Sequence, residues 1–239
     1  MKKHLLDISK VKKAHNKLRN LYNKIPETIG CMENLDKCKS FCCNIQTPQV
    51  LYVEFLYTWN DILANWSLQD ILDLIKSAVR CYLSNNTIKG CIFRNKDTGL
   101  CMQHKTRCFN CYCYGITPKE EFDLRLEKFK KIYEDKNVVF HDQCSLVKTK
   151  NGEEVTSEDL DGWWDDLVKI EHSIGIEKNL INDGPDGSYR TYHDHLVLHL
   201  LPDVVINQMT IIKMSIDESG KEACVQSLIN CLANKIEII

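Results

Sequence analysis

No stretch of this chain approaches the roughly 18 consecutive apolar residues that a membrane-spanning helix requires, so no membrane span is expected. The opening residues, MKKHLLDISKVKKAHNKLRNLY, are basic but hold neither an apolar run of signal-peptide length nor a small-residue cleavage site. A reducing cytoplasm is therefore the expected location. Charge of one sign is not in excess either: 31 Lys and Arg face 33 Asp and Glu, a formal net charge of −2. That balance makes no general case for a nucleic-acid partner, and the run Lys10, Lys12, Lys13, Lys17 and Arg19 reads as a solvated helix face. Also missing are a Gly-x-Gly-x-x-Gly turn after a strand, a Walker loop, a Gly-x-Ser-x-Gly elbow and the Cys-x3-Cys-x2-Cys of radical S-adenosylmethionine enzymes. Repeats and low-complexity tracts are absent.

What the chain does have is cysteine. Of the 13 cysteines, ten fall between residues 31 and 113: Cys31, Cys38, Cys42 and Cys43 in one group, Cys91, Cys101, Cys108, Cys111 and Cys113 in another, with Cys81 between. At about 5% of the chain they are too sparse for a disulfide-rich secreted scaffold, and an odd number cannot pair completely. With 44% hydrophobic residues the chain has a core and needs no cross-links to fold. Burial as a small apolar residue explains any single cysteine but not the group. Thiolates are strong, soft ligands, and a zinc ion or iron–sulfur centre takes about four of them converging on one point. The two groups therefore read as two loops that build one metal site. Lys37, Lys39, Lys89, Lys105 and Arg107 lie among the thiols and are expected to lower their pKa values, so that deprotonation comes easily.

Residues 5 to 24 space apolar side chains (Leu5, Ile8, Val11, Leu18, Leu21, Tyr22) for an amphipathic helix ended by Pro26. Thr47-Pro48 is expected to cap and start a second helix. Ser67-Leu68-Gln69-Asp70 opens a third, running to Leu83 with Ile71, Leu74, Ile75, Ala78 and Val79 on one face. From Cys91 to Gly115 no period holds, so irregular, functional structure is expected. Thr117-Pro118-Lys119-Glu120-Glu121 starts a helix to about Asp135. Residues 138–140 and 145–147 read as short strands, with a tight turn at Lys150-Asn151-Gly152-Glu153. Ser157-Glu158-Asp159-Leu160 starts a helix through Ile170, Asp183 to Gly187 is a break, and helical segments follow over Tyr189 to Leu201, from Pro202-Asp203, and from about Lys221.

The order Cys38-x3-Cys42-Cys43, then Thr47-Pro48 and Glu54, then Cys91-x9-Cys101-x6-Cys108-x5-Tyr114-Gly115 resembles the YkgJ family, described as zinc- or iron-chelating domains. The likeness covers residues 31 to 118. It implies Cys38, Cys42, Cys43, Cys91, Cys101 and Cys108 as ligands, with Cys31, Cys111 and Cys113 in reserve. The family's arginine-proline pair before the last cysteine and arginine after it are replaced here by Thr106-Arg107 and Phe109, which leaves nuclearity open. Neighbouring Cys42 and Cys43 reach a single ion only with strain, which favours a cluster or two centres over one zinc. Flagellin lysine methylases look similar in the same cysteine arrangement, which implies an enzyme alternative.

Three further groups were weighed. His193, His195 and His199 share a face in part on a helix or wholly on a strand, but the zinc-protease glutamate is absent between His195 and His199. Cys224, Cys231 and the isolated Cys144 read as packing residues, and Trp163 and Trp164 as core anchors. The expected protein is mainly α with a minor β-hairpin, its helices arranged around irregular metal-stapled cysteine loops. Residues 1–118 form the cysteine region and 119–239 a helical region packed with it as one unit. The leading function is a cytoplasmic metal-binding protein with an iron–sulfur cluster, 4Fe–4S first, or zinc. The alternative is an iron–sulfur enzyme of the S-adenosylmethionine-using protein lysine methylase type, with a protein substrate or partner.

Overall fold

The computed structural model describes residues 7–31, 33–38, 41–45, 47–84, 90–132, 134, 140, 142–175 and 190–236. In chain order its elements are α1 (Ile8–Tyr22), β1 (Thr28–Ile29), α2 (Leu35–Cys38), α3 (Phe41–Ile45), α4 (Tyr52–Asn65), α5 (Leu68–Leu83), a 3-10 turn (His104–Thr106), α6 (Phe109–Cys113), α7 (Lys119–Ile132), β2 (Lys148–Thr149), α8 (Ser157–Ser173), α9 (Tyr192–Leu200), α10 (Asp203–Ser215) and α11 (Glu218–Ile236). The protein is mainly α with one small antiparallel ribbon, as expected. No helix among the described residues is long and apolar enough to cross a membrane.

Most helices begin where a polar side chain can serve their first N–H groups. Asp7 accepts from the Ser9 N–H at 2.8 Å to start α1, and Ser67 accepts from the Asp70 N–H at 3.2 Å to start α5. Thr156 with Asp159, and Thr191 with Asp194, form reciprocal capping boxes at α8 and α9. Two expected starts move. Thr47-Pro48 does not open α4; instead the Val50 N–H donates to the Arg190 carbonyl at 3.0 Å, and the helix begins at Tyr52. Its free N–H groups are served by carboxylates: Glu54 takes the Leu51 N–H at 2.9 Å, and Glu171 of α8 takes those of Tyr52 at 3.0 Å and Val53 at 2.7 Å. Thr117 likewise does not cap α7, because its hydroxyl donates back to the Cys113 carbonyl at 3.0 Å.

The ribbon pairs Thr28 with Thr149 and Ile29 with Lys148. Its strands thus come from distant parts of the chain rather than from 138–140 and 145–147. Ser145 and Leu146 form a turn, while residues 138–139 and the break at 183–187 lie outside the described residues.

One buried cluster joins the two halves. Leu18 of α1, Phe55 of α4 and Leu83 of α5 belong to it with Leu167 of α8, Leu196 of α9 and Val225 of α11. Each such side chain contributes about 2 kcal/mol of hydrophobic stabilisation. α1 packs on α4 and α8, and α5 packs on α9, α10 and α11. The cysteine segments are laid against the α1 and α4 side of this frame.

Candidate metal centre

Cys91 and Cys101 stand at the base of a short doubled-back loop. The Met102 N–H donates to the Phe93 carbonyl at 2.8 Å, the Asn95 N–H to the Leu100 carbonyl at 2.9 Å, and Arg94 bridges to Cys101. The chain then makes its 3-10 turn, pinned to α4 by the Thr58 hydroxyl on the Thr106 carbonyl at 2.8 Å. Cys108 sits just before α6, which carries Cys111 and Cys113.

The buried Glu54 carboxylate holds α6 in place. It accepts from the Phe109 N–H at 2.6 Å, the Tyr22 hydroxyl at 2.5 Å and the Leu51 N–H at 2.9 Å, so α1, α4 and α6 meet on one side chain. Burial raises its pKa, and these donors pull it back.

The first cysteine group reaches the second through the backbone. The Cys91 N–H donates to the Cys43 carbonyl at 2.7 Å, and the Thr47 hydroxyl meets the Gly90 carbonyl at 3.5 Å. Two sulfur pairs stand near contact: Cys42 with Cys43 at 4.0 Å and Cys108 with Cys111 at 3.6 Å. Burial pushes the Cys91 thiol up, and Cys111, Cys101 and Cys42 push it further as charged neighbours. Burial brings Cys101 up to about 11, with Cys111 and Cys31 adding to it and Arg107 opposing. Cys111 is raised first by its bond to Cys108 and then by burial, and Cys42 first by its bond to Cys43. Cys113 rises to about 12 through burial and Glu54, against Arg125 and Arg107.

These shifts reverse the expectation of easily deprotonated thiols. Lys37 and Lys105 are exposed to solvent, and Lys39 and Lys89 lie outside the described residues. Arg107 is the cation that reaches the thiols, while it also donates to the Thr28 hydroxyl at 3.0 Å and lies 4.4 Å from the Tyr112 ring centre. Burial and like-charged neighbours outweigh one guanidinium.

Cys42, Cys91, Cys101 and Cys111 are therefore brought together, with Cys31 beside Cys101 and Cys43 beside Cys42. Cys111, held in reserve by the resemblance, is the hub, since it neighbours Cys91, Cys101, Cys108 and Cys113. Cys108 turns inward toward Tyr22 and Tyr192. The Cys38 side chain lies outside the described residues. Among the described residues, no three His, Cys, Asp or Glu side chains are grouped tightly enough to hold one metal ion. The donor chemistry nevertheless fits one: crowded, buried thiols with raised pKa values carry no charge of their own, and a bound cation stabilises their thiolate form.

The histidines belong elsewhere. His195 Nε2 meets the Val50 carbonyl at 2.8 Å, and His199 Nδ1 meets the Tyr52 hydroxyl at 2.6 Å, so both tie α9 to the start of α4. Burial lowers the His195 pKa to about 4. Trp163 and Trp164 pack on the core, Trp164 lying 5.8 Å from the Phe109 ring. Cys224 is half-buried on α11, and the Cys231 side chain lies outside the described residues. Sequence spacing missed the anchoring part of Glu54 and the position of Cys144, which neighbours the Tyr114 phenol together with Cys42, Cys43 and Cys31. No family model, curated protein or solved structure matches this chain.

Proposed function

We propose that this protein holds a cysteine-ligated metal centre, an iron–sulfur cluster of the 4Fe–4S type first and zinc as the alternative, and works in the cytoplasm. The observation that carries this reading is the join at Cys43 and Cys91, which sets Cys42 among Cys91, Cys101 and Cys111 although the two groups are far apart in sequence. A bound cluster would supply one-electron chemistry, whereas zinc would supply a structural cross-link. Cys42, Cys91, Cys101 and Cys111 bind, Arg107 offsets negative charge, and Glu54 orients α6. Apparent binding energies of about 10 to 16 kcal/mol for structural zinc exceed the cost of ordering a few loop residues. Iron, acid-labile sulfide and zinc analysis of anaerobically purified protein tests the reading.

A second reading is group transfer from a small molecule such as S-adenosylmethionine onto a protein partner. A cleft of about 460 Å³ on the 92–102 loop, lined by Trp66, Asp70, Asp73, Arg94, Lys96 and Met102, favours it. Transfer of label from S-adenosylmethionine to protein tests that reading.

A further inference from the structure

We propose that Cys144, isolated in sequence, is a further ligand of the same centre, delivered by the strap of residues 143–149. This rests on the metal-centre reading above and adds a residue that neither its cysteine groups nor its family resemblance contains.

The strap is fixed at both ends and in the middle. At its start the Gln143 side-chain amide donates to the Thr117 carbonyl at 2.5 Å. At its end Lys148 and Thr149 pair with Ile29 and Thr28. Between these points the backbone passes through a gap that two glycines keep open. A Cβ on Gly30 would lie 1.9 Å from the Leu146 carbonyl oxygen, and one on Gly115 would lie 2.5 Å from Val147 Cβ. Both glycines have positive φ, 102° and 88°, so side chains are disfavoured there twice over.

Gly30 precedes Cys31 and Gly115 follows Tyr114. The strap is thus clamped between the first cysteine of one group and the residue that closes the other. Cys144 lies between the Gln143 anchor and this clamp, and it is half-buried. The Tyr114 phenol locates it: burial raises that hydroxyl's pKa, and Cys42, Cys144, Cys43 and Cys31 raise it further as neighbours. Four thiols from three chain segments therefore surround one phenol. An adjacent pair such as Cys42 and Cys43 serves a single ion poorly, so a centre on this side needs sulfur from other segments, and Cys31 and Cys144 are the ones at hand. On coordination the Cys144 thiol gives its proton to solvent and its sulfur binds the metal.

The test compares the full-length chain with C144S, C144A and, as control, C224S, each reconstituted anaerobically with iron and sulfide or with zinc. Metal per chain, visible spectrum and affinity against a competing chelator are read, together with melting temperature with and without metal. The expected result is that C224S matches the parent, whereas C144S and C144A bind at least about tenfold more weakly. Melting of the metal-free chains stays unchanged, because a half-buried small side chain replaces a half-buried thiol. Equal stoichiometry, spectrum and affinity in C144S would overturn the proposal, and so would equal destabilisation with and without metal, which marks a packing residue. A parent chain that takes up no metal overturns the underlying reading and this one with it; a loaded parent with an unaffected C144S overturns this one alone.

Discussion

The backbone N–H of Cys91 donates to the carbonyl of Cys43 at 2.7 Å. This bond joins two cysteine groups that the sequence keeps apart across α4 and α5, and it aligns Cys42 with Cys101 and Cys111 about Cys91. The frame behind them is built from buried carboxylates, Glu54 and Glu171, whose partners are mainly backbone N–H groups.

Removing the Glu54 carboxylate strands three donors, the Tyr22 hydroxyl and the Phe109 and Leu51 N–H groups. E54A is expected to cost about 3 kcal/mol or more, and Y22F about 1 to 2 kcal/mol, in urea unfolding. The double variant Y22F/E54A should cost less than the sum of the two, because the singles share one bond. Additive effects would show that the Tyr22–Glu54 contact contributes nothing.

Glu171 makes stability depend on pH. Burial lifts its carboxyl from 4.5 to about 7, against the pull of the Val53 and Tyr52 N–H groups. The folded chain then binds the proton more tightly than the unfolded chain does. Its contribution is complete below about pH 4.5 and is lost as pH rises through about 7. Relative to E171Q, the parent should lose about 3 kcal/mol between pH 5 and pH 8 in urea titrations. A constant difference across that range would contradict this.

His195 acts in the opposite sense. Its ring is held neutral by burial, with a pKa near 4 against 6.5 when free. Its contribution is complete above about pH 6.5 and is lost as pH falls through about 4. H195Q, which keeps a donor for the Val50 carbonyl, should unfold at lower pH than the parent when followed by circular dichroism. Unchanged acid unfolding would show that His195 does not set the acid limit.

Helices with local signals were legible in the sequence. α5 and α8 announce themselves by apolar period and by caps one turn away, Ser67 with Asp70 and Thr156 with Asp159. Features set by distant partners were not. α4 begins late because Glu171, 118 residues beyond Val53 in sequence, supplies part of its cap. The ribbon strands are two residues each, too short to show alternation. Counting lysines near cysteines could not reveal that Lys37 and Lys105 face solvent while the thiols are buried or half-buried. Cys144 has no cysteine neighbour in sequence, and only the close passage at Gly30 and Gly115 carries it to Tyr114.

If metal joins the two groups, removing it should weaken the whole chain. A chelator applied to protein saturated about a thousandfold above its dissociation constant is expected to lower stability by about 4 kcal/mol, seen as a lower melting temperature. A chelator that leaves melting unchanged would show that no bound metal contributes.

The most direct test is iron, sulfide and zinc content per chain in anaerobically purified parent, C42S and C91S proteins. The parent should carry metal in stoichiometric amount, and each single substitution, one in either cysteine group, should deplete it. A metal-free parent, or a parent whose metal survives both substitutions, would contradict a single centre shared by the two groups.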